Sequence, residues 1–255
     1  GDMVLAHVID RENAFIDELL PRTHTLTRTT AAGREKAMAA NVDSVVVVAA
    51  MRTPDLRLGI VDRILAFAEL HALRSILVLT KTDLAPAQEC DAVLALYRSL
   101  GIEALAAAPK FGTGVDAVRE ALRGKHALLV GQSGVGKSSL FRALGGEATV
   151  GAVNSKTGKG RQTTTSARLY RTAEGGFLID SPGVREFALG PRSATEVAAA
   201  FVDMRSFARG CHFADCTHRH EPGCAIRAAV ADRGIAQSRY QSYCSILDRA
   251  EEDVR

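Results

Sequence analysis

Residues 131–138 read Gly-Gln-Ser-Gly-Val-Gly-Lys-Ser and fit the spacing G-x-x-x-x-G-K-[ST]. An apolar run at 127–130 precedes them and a helical pattern at 137–144 follows, which is the setting this loop needs. The glycines let the backbone curl so that its N–H groups face a phosphate. Lys137 supplies a cation to the outer phosphates, and the Ser138 hydroxyl can ligate Mg²⁺. Gly131, Gln132, Ser133, Gly134, Val135, Gly136, Lys137, Ser138 and Ser139 are therefore candidate nucleotide-binding residues. A strand–loop–helix of this kind predicts an α/β fold with a parallel sheet.

The rest of the chain agrees with that architecture. From about residue 40, strand patterns at 45–50, 75–80, 102–107 and 127–130 alternate with helical patterns at 56–73, 86–99, 115–122 and 137–144. Two further strands are marked at 169–170 and 176–180. The run at 45–50 is apolar throughout, as a strand covered on both faces requires. This predicts a parallel sheet with helices on both faces. Before it, segments 3–9 and 14–20 flank a polar turn and read as a β-hairpin, and the Thr- and Arg-rich stretch 23–33 reads as a linker. After about 190 the strands stop, and helices are expected at 194–207, 225–234 and 236–250. The longest apolar run, 45–51, is far too short to span a bilayer, so no membrane role is expected.

A second motif selects the base. Thr80-Lys81-Thr82-Asp83 follows the strand at 75–79 and resembles the N/T-K-x-D pattern of guanine readers. A carboxylate such as Asp83 accepts two hydrogen bonds from the guanine ring N–H and amino group, and the Lys81 stem can cover the base. Adenine offers no such donor pair. Asp180-Ser181-Pro182-Gly183 ends the 176–180 strand and resembles D-x-x-G, in which Asp180 reaches Mg²⁺ through water and the Gly183 N–H senses the γ-phosphate. Between the two, Gly160-Arg161-Gln162-Thr163-Thr164-Thr165 stands where a first switch closes a Thr hydroxyl over Mg²⁺, with Thr164 the candidate. The whole chain carries a net charge of +3, but residues 142–171 hold six basic residues against Glu147 alone. Such a local field attracts phosphate.

Five cysteines are an odd number, against a full disulfide framework. Cys211, Cys216 and Cys224 lie within fourteen residues, around His212, His218 and His220. Three thiolates and one imidazole make a closed tetrahedral Zn²⁺ shell, structural in kind. With few large apolar residues around it, that domain draws folding free energy from the metal. Cys90 and Cys244 read as core thiols.

The order of the motifs is permuted: base motif, phosphate loop, first switch, second switch. With the spacing Cys211-x4-Cys216-x-His218-x5-Cys224, it resembles the RsgA (YjeQ-type) family, the circularly permuted GTPases dependent on the small ribosomal subunit. Pro21-Arg22, Asn41-Val42-Asp43, Asp62-Arg63, the 160–165 loop and Arg239-Tyr240 add to the resemblance, which runs from Gly1 to at least Leu247. It implies a partial OB-fold and linker at 1–32, a permuted GTPase domain at 33–190 and an α-helical zinc-binding domain at 191–255. It favours His218 as the fourth ligand of one structural zinc ion. It implies a cytoplasmic, monomeric enzyme with GTP/GDP and Mg²⁺, slow alone and stimulated by the 30S subunit and its 16S rRNA in late small-subunit maturation. The start of the chain matches mid-OB-fold, so the preceding half of that barrel is expected outside these residues.

The sequence departs from the family pattern in three places: Thr80 replaces Asn, Gln162 replaces His, and Ala108-Pro109-Lys110 replaces a S-A-K loop. Separately, Val184 stands where classical GTPases carry a water-orienting Gln. An apolar side chain cannot orient water, so Gln162 or the ribosome must complete catalysis. The candidate catalytic set is Gln162, Thr164, Asp180 and Gly183. The alternatives are a GTP-gated RNA-binding module that scarcely hydrolyses, and a permuted GTPase of the large subunit.

Overall fold

The computed structural model describes residues 1–10, 13–29, 35–145, 168–180, 189 and 192–252. Its centre is a six-stranded sheet built from β5 (Ser44–Ala50), β6 (Arg74–Thr80), β7 (Glu103–Ala106), β8 (His126–Val130), β9 (Arg168–Arg171) and β10 (Phe177–Asp180), in the order β7-β6-β5-β8-β10-β9. All neighbours are parallel except β9, which runs antiparallel to β10 at the edge. Four helices cover it: α1 (Leu58–Leu70), α2 (Ala87–Ser99), α3 (Val115–Ala121) and α4 (Lys137–Ala143).

The strand period of two sorts β5 between the two layers. Val45, Val47 and Ala49 pack on one side with Val61, Ile64 and Leu65 of α1 and Leu94 and Tyr97 of α2. Val46, Val48 and Ala50 face the opposite layer, with Val115 and Val118 of α3 and Leu140 of α4. Because β5 is buried on both faces, it has no polar alternation to show, and its continuous Val/Ala run follows.

The N-terminal hairpin is present as β1 (Val4–Val8) and β2 (Ala14–Leu19). The linker expected at 23–33 is corrected. Thr25–Thr29 forms β3, which pairs antiparallel with β4 (Glu35–Ala40). A run of Thr and Arg looks like a loop by polarity, but β-branched Thr fits a pleated strand, and Leu26 is buried in the core. Asn41, in the left-handed region at φ 56°, joins these hairpins to the sheet. Its Oδ1 accepts from the Thr23 amide at 2.8 Å, its Nδ2 donates to the Gly1 carbonyl at 2.9 Å, and its own carbonyl lies 3.3 Å from His126 Nδ1.

Beyond the sheet the described residues are helical: α5 (Ala194–Ala199), α6 (Arg205–Ala208), α7 (Ala225–Ala231) and α8 (Gln237–Glu252). The single helix expected at 194–207 is two short ones. Ser193 and Glu196 form a capping box at the start of α5, and the chain turns at 200–204 to bury Phe201 and Met204. Phe201 and Met204 join Ile226, Tyr243, Ile246 and Leu247 in a separate core that reaches Ala66 of α1. At that seam α1 and α8 share a buried charge cluster. The Arg239 guanidinium donates to Asp62 Oδ1 at 2.7 Å and to both Asp203 oxygens at 2.8 and 3.1 Å, and it lies 4.4 Å from the Phe201 ring centroid. Tyr97 of α2 donates to the same Asp62 oxygen at 2.8 Å. Burial pushes the Asp62 carboxyl up, with Arg239 opposing; burial also works against Arg239, but Asp203 and Asp62 hold its charge.

Candidate nucleotide site and metal centre

The carboxyl ends of β5, β6, β7, β8 and β10 lie along one edge of the sheet, as the register Ala50↔Thr80, Leu79↔Ala106, Val47↔Val130 and Asp180↔Leu129 requires. The strand order reverses between β5 and β8, and the crevice beyond such a reversal is where open α/β sheets take ligands. Beside that point a narrow cleft between β5, the start of α1 and the loop is lined by Val47 to Ala50, Asp55, Arg57, Ile60, Gly131, Gln132 and Val135.

Gly131 leaves β8 so close to β5 that a Cβ on it would lie 2.2 Å from the Val48 carbonyl oxygen. No side chain fits there. Gly134 and Gly136, at φ 81° and 96°, complete the curl. Val135 is buried beneath the loop, and Ser133, Gly134 and Ser138 are exposed on it. The Lys137 ammonium bends back over the loop and donates to the Gly131 and Gln132 carbonyls, each at 2.7 Å.

The base motif lies against this loop. Thr80, at the end of β6, is fully buried; its hydroxyl donates to the Val135 carbonyl, with the Ala49 carbonyl at 3.2 Å. One side chain thus joins β5, β6 and the phosphate loop. Lys81 takes the left-handed conformation, at φ 54°, and its ammonium donates to the Thr53 carbonyl. Thr82 and Asp83 open a 3₁₀ turn, Thr82–Leu84, in which the Asp83 carboxylate is exposed. The Thr82 hydroxyl lies 3.4 Å from the Ala107 carbonyl, so the loop after β7 that carries Ala108, Pro109 and Lys110 stands beside the base motif despite its departure from S-A-K. Asp180 ends β10 at the same edge. Gln162, Thr164, Gly183 and Val184 lie outside the described residues.

The sequence reading missed the loop after β5. Pro54 Cδ would lie 3.6 Å from a Cβ on Gly134, and Arg52 is held by Glu89 of α2 at 2.5 Å. Nothing in the local sequence of 51–57 marks it; only the parallel pairing of β5 with β8 brings it to the phosphate loop.

The second constellation is closed. The ligand atoms of Cys211, Cys216, His218 and Cys224 all lie within 4.8 Å of one another. His218 Nδ1 is 3.4 Å from the Cys211 sulfur and 3.5 Å from the Cys224 sulfur, and those two sulfurs are 4.0 Å apart. A tetrahedral Zn²⁺ with ordinary Zn–S and Zn–N bonds has edges of about 3.6 Å for N···S and about 3.8 Å for S···S. The four side chains therefore fit one zinc ion. Burial, with Cys224 and Cys211 alongside, pushes the Cys216 thiol up to about 12, so thiolates here need a cation among them. Burial also lowers the His218 imidazole toward the neutral form that a ligand must have. His212 and His220 stand outside the group. His212 lies on Gly223, and its ring meets Phe213 edge-on at 4.7 Å.

The ligand loop is held from two sides. Burial works against ionisation of Glu221, but hydrogen bonds from Thr217 and nearby amides outweigh it and keep the carboxyl well below the usual range. Its oxygens accept from the Thr217, Arg219 and His220 amides. From α8, Tyr240 donates to the His218 carbonyl at 2.7 Å and Tyr243 to the Thr217 carbonyl at 2.9 Å. Because this loop has hardly any apolar core of its own, zinc chelation is expected to unfold residues 211–224 while the sheet persists. Hydrogen exchange checks this: exposure confined to 211–224 and its contacts on α8 supports it, and unchanged protection there refutes it.

A phosphate loop that follows the base motif along the chain, at the carboxyl edge of one parallel sheet, defines a circularly permuted P-loop GTPase. A family model for RsgA GTPase matches residues 19–190. The chain is similar to the small ribosomal subunit biogenesis GTPase RsgA of Ectopseudomonas mendocina (strain ymp), at 41% identity over 99% of this chain and 75% of the relative. It is also similar to the protein of that name in Pseudomonas aeruginosa (strain LESB58), at 42% over 97% and 74%. Among solved structures, YjeQ from Thermotoga maritima superposes with a TM-score of 0.76 and 29% identity over 98% of this chain and 83% of that one. YloQ, described as a circularly permuted GTPase, does so at 0.74 and 26% over 99% and 80%. The chain belongs to the RsgA GTPase family and is a GTP hydrolase.

Proposed function

We propose that this GTPase acts in biogenesis of the small ribosomal subunit, binding the 30S particle and its 16S rRNA and hydrolysing GTP to GDP and phosphate there. The observation that carries the nucleotide part is the Thr80 hydroxyl tied to the Val135 carbonyl, which fixes the base motif against the phosphate loop. In this reading Asp83 accepts from the guanine ring N–H and amino group, and Lys81 covers the base. Thr80 and Thr82 shape that pocket from below. The amides of 131–139 and the Lys137 ammonium take the phosphates. Ser138 and, through water, Asp180 would hold Mg²⁺, which would supply positive charge to offset that of the outer phosphates. By their place in the sequence motifs, Gly183 would sense the γ-phosphate, Thr164 would offer its hydroxyl to the metal, and Gln162 would orient the attacking water.

Cys211, Cys216, His218 and Cys224 would hold one structural zinc ion. We assign residues 1–32 to part of an OB-fold and its connection, 33–190 to the GTPase domain, and 191–255 to the zinc-binding domain. The β3–β4 hairpin lies across the first boundary. The outer modules contact rRNA, and the enzyme works as a monomer in the cytoplasm. Among the described residues no helix is long and apolar enough to cross a membrane. The test is GTP turnover with and without purified small subunits. Stimulation by 30S and not by 50S particles supports the reading; equal rates with either, or with none, overturn it.

A further inference from the structure

The zinc loop presents an aromatic surface that its fold does not use. Outside the N-terminal hairpin, the exposed large aromatic side chains among the described residues are Phe111 and Phe213. Phe111 lies under the Lys110 ammonium at 5.5 Å. Phe213 is 41% exposed, in the loop between ligands Cys211 and Cys216, and its ring is buttressed edge-on by His212. The His212 amide donates to the Gly223 carbonyl at 3.2 Å, and a Cβ on Gly223 would lie 3.0 Å from His212 Cβ. That contact seats the ring pair against the strand of chain entering Cys224. A metal-bound loop gives such a ring a fixed position at little cost in conformational entropy.

Two exposed arginines stand on the segments that flank the loop. A Cβ on Gly210 would lie 3.2 Å from Ala225 Cβ, so the segment holding Arg209 runs beside the start of α7, where Arg227 stands. Arg209 and Arg227 are both exposed, and the ion pairs among the described residues include neither of them. The acids nearby are Asp215, exposed in the loop itself, and Glu221, whose carboxylate is taken up by Thr217 and the amides of 217–220. An exposed ring on a short loop, with unpaired arginines on the segments that flank that loop, suits an unpaired base and its phosphates. It suits duplex RNA poorly, since stacked bases offer no face to a ring.

We propose that Phe213, backed by His212, stacks an unpaired base of single-stranded RNA, with Arg209 and Arg227 on the flanking phosphates. The inference rests on the rRNA-binding reading above and adds to it the strand state and the residues that read it.

The probe is a labelled oligouridine, with binding to the zinc-loaded chain followed by polarisation. Phe213→Leu is expected to weaken binding on the order of ten- to a hundredfold, and Phe213→Tyr to restore it. Arg209→Gln and Arg227→Gln are each expected to reduce the slope of log affinity against log salt by about 0.7. Zinc content and the unfolding midpoint are measured on each variant, and a half-exposed ring is not expected to move either. Equal affinity of wild type and Phe213→Leu overturns the proposal, as does a wild type that does not bind the oligomer. A Phe213→Leu chain that binds the oligomer normally but loses the small subunit also overturns it and assigns the ring to a ribosomal protein. Wild-type turnover with 30S subunits is measured alongside. Stimulation there with no effect of Phe213 on the oligomer sinks this inference alone; absence of stimulation sinks the wider reading.

Discussion

Replacing Lys137 by alanine is expected to lower GTP turnover by at least on the order of a hundredfold, the usual effect of deleting one preorganised donor aimed at developing charge. Its ammonium is positioned by the Gly131 and Gln132 carbonyls, 2.7 Å away on each, so it stands at the mouth of the loop before any phosphate arrives. The alanine variant keeps the glycines and the Thr80 tie, and it loses the one compact charge the loop presents. Lys137→Arg is expected to be impaired as well, because a planar fork cannot occupy the place of a point charge between two carbonyls. Turnover with small subunits is the measurement, with GDP binding by calorimetry and the unfolding midpoint as controls. Turnover within threefold of wild type, in a folded variant, would remove Lys137 from the chemistry.

The second large effect is on stability. Arg239→Met is expected to cost about 3–5 kcal/mol, because it leaves the buried carboxylates of Asp62 and Asp203 without their cation. Arg239 is 2% exposed and Asp62 fully buried, so water cannot replace the lost partner. Breaking one side of such a cluster costs more than replacing the whole of it. The combined variant Asp62→Leu, Tyr97→Phe, Asp203→Asn, Arg239→Met, which also removes the Tyr97 hydroxyl that donates to Asp62, is therefore expected to recover most of the loss. Denaturant midpoints for the single and combined variants decide this. A single-variant loss under about 1 kcal/mol would show that the cluster is solvated in solution. α8 is fixed to α1 by Arg239, and the same helix holds the zinc loop through Tyr240 and Tyr243.

Much of this was legible along the chain, and the reasons differ by element. The β5 run Ser44–Ala50 could be read because a strand covered on both faces must be apolar at every position. β3 could not, because Thr and Arg serve equally in a loop, and only the pairing with Glu35–Ala40 makes Thr25–Thr29 a strand. The break between α5 and α6 was hidden for a related reason. Residues 194–207 keep a helical apolar spacing, yet burying Phe201 and Met204 against α8 needs a turn between them. Thr80 looked like a base contact by its place in the motif, and the structure adds that its hydroxyl is spent on the phosphate loop.

The sequence by itself determined the phosphate loop, the base motif, their permuted order and the cluster of cysteines and histidines. Each depends on residue types at short, fixed spacings, where local geometry leaves few alternatives. The tertiary structure decided what long-range packing controls. It gathered His218, the histidine the resemblance favoured, with the three sulfurs, because the loop closes on Glu221 and α8. It brought the 51–57 loop to the nucleotide crevice through the pairing of β5 with β8, and it joined Asp62 to Arg239 across 177 residues of chain. No spacing rule reaches that far, because such contacts follow from how surfaces are buried together.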